Sequence, residues 1–114
     1  MTILQGTRAS NGTFKGPTMV LTSHDQVSKL TPGVVMVVPD TDPDWMPAFE
    51  YLAANGGAII TEVGGRLCHA AVVSREFGIP CVVGVTSACR VLHDKIVEVD
   101  GRAGIVKVVN AITA

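Results

Sequence analysis

Charge is scarce in this chain. Charged residues make up 17% of it and nearly cancel, leaving a formal net charge of -1. Acids and bases are scattered, so there is neither a basic face for nucleic acid nor a polybasic patch for a membrane surface. Apolar runs such as Val34 to Val38 are far too short to cross a bilayer. Met1 to Ser10 lacks a charged start followed by an apolar stretch, so no secretory signal is expected there. The cysteines, Cys68, Cys81 and Cys89, are odd in number and form no CxxC pair, which fits a reduced, cytoplasmic setting. The three-glycine dinucleotide fingerprint is missing, and so are CxxC and HxxxH spacings. Neither a nucleotide site nor a metal site is expected within the chain.

What is present is apolar and small. Hydrophobic residues make up 47% of the 114 positions and aromatics only 4%. Val, Ile and Ala supply most of that content, which suits strands and compact helices better than a coiled coil. The length predicts one domain over residues 1–114. Gln5 to Gly16, rich in Gly, Ser, Thr and Asn, reads as loop and turn. Strands are expected at Thr18–Leu21, Val34–Val38, Ala58–Thr61 and Pro80–Val85. Lys95–Val99 and Gly104–Val109 read as a hairpin turning at Asp100-Gly101. Helices are expected over Ser23–Leu30, from an Asp42 cap with Pro43 in the first turn to Asn55-Gly56, and over Thr86–Leu92. Strands and helices interleave, so the class is mixed α/β.

The informative stretch runs from Thr61 to Gly84. A glycine loop, Gly64-Gly65, feeds a helical pattern in which Ala70, Val73 and Phe77 share a face, and Gly78 with Pro80 stops it. Counting back about ten residues starts the helix near Cys68 or His69, within the usual length range. His69 then lies in the first turn, beside main-chain N–H groups that have no partner inside the helix. The positive helix end disfavours a second proton on the ring and favours the charge of an attached phosphoryl group. Glycines before it let a phosphate or a partner's active site come close to the backbone.

Blander readings compete. A histidine at a helix start is by itself more often a cap or a surface residue, and most GG pairs are turns. Cys68 beside His69 is not a catalytic pair, because adjacent residues point different ways on a helix. Cys81 and Cys89 read as small core residues. Trp45 and Phe49 read as packing, Glu76 as a solvated helix residue, and nothing marks His24 or His93. Arg66 and Arg75 flank the His69 turn in sequence, so either could neutralise a phosphate.

Gly64-Gly65, Cys68-His69-Ala70-Ala71, Arg75-Glu76 and Gly78-Ile79-Pro80 together resemble the signature of the swivelling phosphohistidine domain of the phosphoenolpyruvate-utilising enzymes. That family includes phosphoenolpyruvate synthase, pyruvate phosphate dikinase, the first enzyme of the sugar phosphotransferase system and rifampin phosphotransferase. Pro32-Gly33, the run Thr41-Asp42-Pro43-Asp44-Trp45, Ala9-Ser10-Asn11-Gly12 and Asp100-Gly101 with Gly104 extend the likeness over nearly the whole chain. The resemblance implies a compact swivelling β/β/α phosphohistidine domain. It implies that His69 is the phosphoacceptor and that Gly64, Gly65, Arg66, Cys68, Ala70 and Arg75 support or cradle the phosphate. In such enzymes an ATP-grasp domain, holding ATP and Mg2+, loads the histidine, and a second domain binds the acceptor, such as pyruvate. Neither is encoded here, so the chain is expected to bind no cofactor and to need both partners. Leu67 stands where synthase and dikinase members usually carry a regulatory Thr, so that form of control is not expected here. Leu67, with Thr61-Glu62-Val63, is closer to the antibiotic phosphotransferases and leaves the acceptor open. The competing reading is an interaction domain that keeps this fold without phosphoryl transfer.

Overall fold

The structure is a computed structural model describing residues 2–111. Four parallel strands form its centre: β3 (Thr13–Val20), β4 (Val34–Val38), β5 (Gly57–Thr61) and β6 (Cys81–Val83). Two helices cross over between them, α1 (Met46–Asn55) from β4 to β5 and α2 (His69–Phe77) from β5 to β6. β1 (Thr2–Gln5) and β2 (Thr7–Ser10) open the chain, and α3 (Ala88–Val91), β7 (Lys95–Asp100) and β8 (Ile105–Ala111) close it. The strand order is β1-β8-β7-β3-β4-β5-β6-β2.

The long strand β3 belongs to two layers. Its first half, Thr13 to Pro17, pairs antiparallel with β7, and Thr18 to Val20 pairs parallel with β4. The β7–β8 hairpin thereby lies over one face of the parallel strands while α1 and α2 cover the other. Both faces of β4 and β5 are therefore buried, which explains their uninterrupted apolar sequence. Val34, Met36, Val38 and Ile59 join Phe49, Leu52, Ala70 and Ala71 on the helix side. Val35, Val37, Ala58 and Ile60 join Val97, Val99 and Val106 on the hairpin side. Burying each aliphatic side chain contributes about 1.5–3 kcal/mol, so the strands hold the fold and the loops at their ends are free for chemistry. Gly101 lets the hairpin turn seat on the strand below, because a Cβ there would collide with the Ser10 carbonyl oxygen.

Three expectations need correction. Gln5–Gly16 is not loop but contains β2 and the start of β3. Among the described residues β2 is an edge strand paired with β6, and an edge tolerates polar residues that a central strand does not. The hairpin does not turn tightly on Asp100-Gly101; residues 101–104 make a wider turn, with Asp100 Oδ1 accepting from the Ala103 N–H at 3.0 Å. On α2 the sealed face is Ala70, Ala71, Val73 and Ser74, and Phe77 is exposed. The Ser23–Leu30 segment is a short 3-10 helix, His24–Lys29, closed by reciprocal bonds between Ser23 and Gln26. Among the described residues no helix is long and apolar enough to cross a membrane.

Candidate functional site

His69 is the first residue of α2, as the spacing predicts, and it stands beyond the carboxyl end of β5. Ligands favour such positions in parallel sheets, since the strand ends and helix starts converge there. Cys68 is the cap residue, extended at φ -72° and ψ 166°, and its side chain makes no capping bond. The first-turn amides of α2 thus keep their hydrogen-bonding capacity for a ligand. Ala70 is buried, so what it offers the site is main chain. The helix ends at Gly78, whose N–H turns back to the carbonyls of Ser74 and Arg75.

The imidazole of His69 is half-buried and held on two sides. Its Nδ1 lies 2.9 Å from Thr41 Oγ1. The Phe49 ring meets it edge-on, with ring centres 5.7 Å apart at 81°. Thr41 reaches this place because the exits of β4 and β5 stay bonded beyond the strands: Glu62 N–H donates to the Val38 carbonyl at 3.1 Å. Thr41 itself is buried between two aspartate turns, with its N–H on Asp40 Oδ1 at 2.8 Å and Asp42 Oδ1 accepting from Asp44 N–H at 2.9 Å. Fixing Nδ1 leaves Nε2 as the ring atom available for chemistry.

Thr41 and Phe49 both touch the His69 ring, and sequence reasoning singled out neither for the site. Phe49 is core packing, as its spacing suggested, and it also orients the imidazole. No spacing rule links either residue to His69. The available signal was topological: Thr41 follows the end of a parallel strand adjacent to the strand that precedes His69.

The two loop glycines differ. Gly64 has φ +118°, and a Cβ there would sit 2.8 Å from Cys68 Sγ, so the turn requires glycine. Gly65 faces open space. Arg75 spends its guanidinium on the main chain, donating to the Ala9 carbonyl at 2.8 Å and the Arg66 carbonyl at 2.7 Å. It thereby ties the glycine loop to β2. Arg66 is exposed and shares with Arg75, Arg8, Ala9, Asn11 and Leu67 a groove of about 600 Å³ beside the loop.

Other titratable groups lie apart from this cluster or inside the core. Burial pushes the Cys81 thiol up to about 12, and Cys89 is raised to about 11, by burial first and then by the nearby Glu62 carboxylate. The Ser74 hydroxyl is buried, with the Cys81 thiol as its polar neighbour. His24 lies near Asp25 and Asp44, at 3.5 and 3.9 Å, and His93 lies 3.1 Å from Asp94. Among the described residues no three His, Cys, Asp or Glu side chains converge as a metal site.

The fold, with His69 at the start of α2 on its rim, defines a class of small mixed α/β domains. The chain belongs to the family described as PEP-utilising enzyme, mobile domain, whose model matches residues 30–104. It is 45% identical over 105 residues to a probable phosphoenolpyruvate synthase of Archaeoglobus fulgidus, covering 91% of this chain and 13% of that protein. A phosphoenolpyruvate synthase of Pyrococcus furiosus is 43% identical, with 91% and 12% covered. An uncharacterised phosphotransferase of Bacillus subtilis is 40% identical, with 92% and 12% covered. The chain therefore spans about an eighth of the length of these relatives. A solution structure of Enzyme I matches with TM-score 0.58 and 31% identity, over 72% of this chain and 33% of that one. The holo-form of Thermococcus kodakaraensis aconitase X matches with TM-score 0.72 over 96% of this chain and all of that one. At 18% identity it shares the fold alone.

Proposed function

We propose that this domain is the phosphoryl carrier of a phosphoenolpyruvate synthase-like or dikinase-like phosphotransferase, with His69 as the transiently phosphorylated residue. The observation that carries this reading is the Thr41–His69 pair, 2.9 Å from hydroxyl to Nδ1, at the uncapped start of α2. Nδ1 keeps the ring proton and donates it to Thr41 Oγ1, so Nε2 presents its lone pair. Nε2 attacks phosphorus, an N–P bond forms, and the donor's P–O bond breaks with its electrons leaving on the donor oxygen. The ring then carries both the phosphoryl group and the Nδ1 proton, and its positive charge is spread toward the Thr41 oxygen. The first-turn amides stabilise the phosphoryl oxygens. The reverse attack, by an acceptor such as pyruvate, regenerates neutral imidazole.

Donor and acceptor come from elsewhere. The nucleotide, with its Mg2+, belongs to an ATP-grasp domain or subunit, and the acceptor belongs to another. This chain contributes binding, ring orientation and a mobile delivery point. The alternative, an interaction domain without transfer, has no use for an imidazole held at one nitrogen and open at the other.

Incubation with an ATP-grasp partner and ATP, labelled in turn at the β and γ phosphates, is expected to place an acid-labile, alkali-stable phosphate on the chain. His69→Ala should abolish the label and leave thermal unfolding within a few degrees of the unsubstituted chain. A label that survives the substitution rejects the assignment.

A further inference from the structure

The groove beside the glycine loop contains residues, Arg8 and Leu67 among them, that the Thr41–His69 pair does not use. It is lined by Arg8, Ala9, Asn11, Arg66, Leu67 and Arg75, with three guanidinium groups and no carboxylate. Arg75 is committed to main-chain carbonyls, whereas Arg8 and Arg66 make no ion pair among the described residues. Next to them Leu67 is 87% exposed, and Val63 on the same loop is 54% exposed. Leu67 is two residues from His69, so a surface that closes over the imidazole meets Leu67 as well.

We infer that Arg8 and Leu67 form a docking surface through which the carrier engages its loading protein, a surface with carboxylates around an apolar socket. This rests on the reading of His69 as a phosphoacceptor. Charge complementarity names the carboxylates: two free guanidiniums on a chain of net charge -1 form a local positive field, which speeds encounter with an acidic surface. Leu67 names the socket, because a leucine exposed beside arginines gains by being covered with apolar surface. A free nucleotide is the poorer fit. The groove offers no aromatic ring to stack on a base, and phosphate gains nothing from an exposed leucine. Arg8 lies on the exposed edge strand β2, tied by Arg75 to the Leu67 loop, so the two act as one surface.

The test uses two phosphoryl donors. Potassium phosphoramidate needs no protein partner: Nε2 takes the phosphoryl group as the P–N bond breaks and ammonia leaves after protonation. The second donor is ATP with the full-length Archaeoglobus fulgidus relative whose own matching histidine is replaced by alanine. Arg8→Glu is expected to slow ATP-dependent loading by roughly tenfold at low salt, with the gap closing near ~0.5 M salt as charges are screened. Leu67→Ser should slow the same step at every salt concentration. Both variants should take phosphate from phosphoramidate at the unsubstituted rate and unfold at the same temperature, and Arg8→Gln should fall between Arg8→Glu and the native chain.

ATP-dependent loading at the unsubstituted rate in both variants overturns the docking surface and leaves the carrier reading standing. So does an unsubstituted chain that accepts phosphate from phosphoramidate but not from ATP and the partner. Inorganic triphosphate that saturates the Arg8 and Arg66 amide signals at micromolar concentration replaces the protein partner with a small anion and also overturns it. Failure of phosphoramidate to label His69 in the native chain removes the carrier reading itself.

Discussion

The two faces of the parallel strands share one backbone and are finished differently. On the hairpin side, Val35, Val37, Ala58, Ile60 and Val82 meet Val97, Val99, Val106 and Leu92 in an aliphatic seal. On the helix side an equally apolar layer reaches its rim in Thr41, Cys68 and His69, grouped where the strands end and α2 begins. One helix serves both purposes, since Ala70 and Ala71 close the core while His69 stands half-open one residue earlier. Stability is concentrated in the sealed layers, and the proposed chemistry occupies the margin of one. Substitutions in the first should unfold the chain, and substitutions in the second should silence it while it stays folded.

The sharpest break in that contrast pairs two glycines. Gly101→Ala drives a Cβ into the Ser10 carbonyl oxygen and is expected to cost about 3 kcal/mol or more, read by urea unfolding. Gly65→Ala meets open space and should change stability by less than about 0.5 kcal/mol. Equal losses would show that the loop and the hairpin are not energetically distinct.

Thr41→Val probes the rim. It keeps the side chain's shape, frees Nδ1 and lets the ring misorient. Loading is expected to fall roughly 10- to 100-fold, with the unfolding midpoint little changed. Phosphate transfer at the native rate would reduce Thr41 to packing.

The sulfurs divide in the same way. In the folded chain burial holds the Cys81 thiol protonated to about 12, against 9.0 for the ordinary group. Above pH 9 the unfolded chain loses that proton and the folded chain keeps it. Stability is thus complete below pH 9 and declines toward pH 12, by about 1.4 kcal/mol per pH unit for one thiol. Cys81→Ala should flatten this alkaline decline in urea titrations at pH 8, 9.5 and 11. Cys68→Ser, at the helix start, should instead add a capping bond worth about 0.5–1 kcal/mol. No gain in melting temperature would mean that the cap geometry does not admit a hydroxyl.

Sequence reasoning reached the elements whose evidence is local. α2 was legible because a glycine turn, a periodic run and Gly78 bracket it, and β4 because five successive apolar residues suit a strand covered on both faces. β2 was hidden because an edge strand carries the same polar residues as a loop. Arg75 was legible as a residue near the site, but not as the tie between β2 and the Arg66 carbonyl, a contact that exists only once the chain has folded back. Thr41 was masked for the same reason, lying 28 residues from the ring it holds.

The central claim is that Nδ1 of His69 is occupied by Thr41 and that Nε2 carries the phosphoryl group. Nitrogen–phosphorus coupling in the NMR spectrum of the loaded, nitrogen-15-labelled chain tests it directly. The expected result is one phosphorus coupled to Nε2 of His69, with a protonated Nδ1 in the same ring. Phosphorus coupled to Nδ1, or bonded to any other residue, would contradict it.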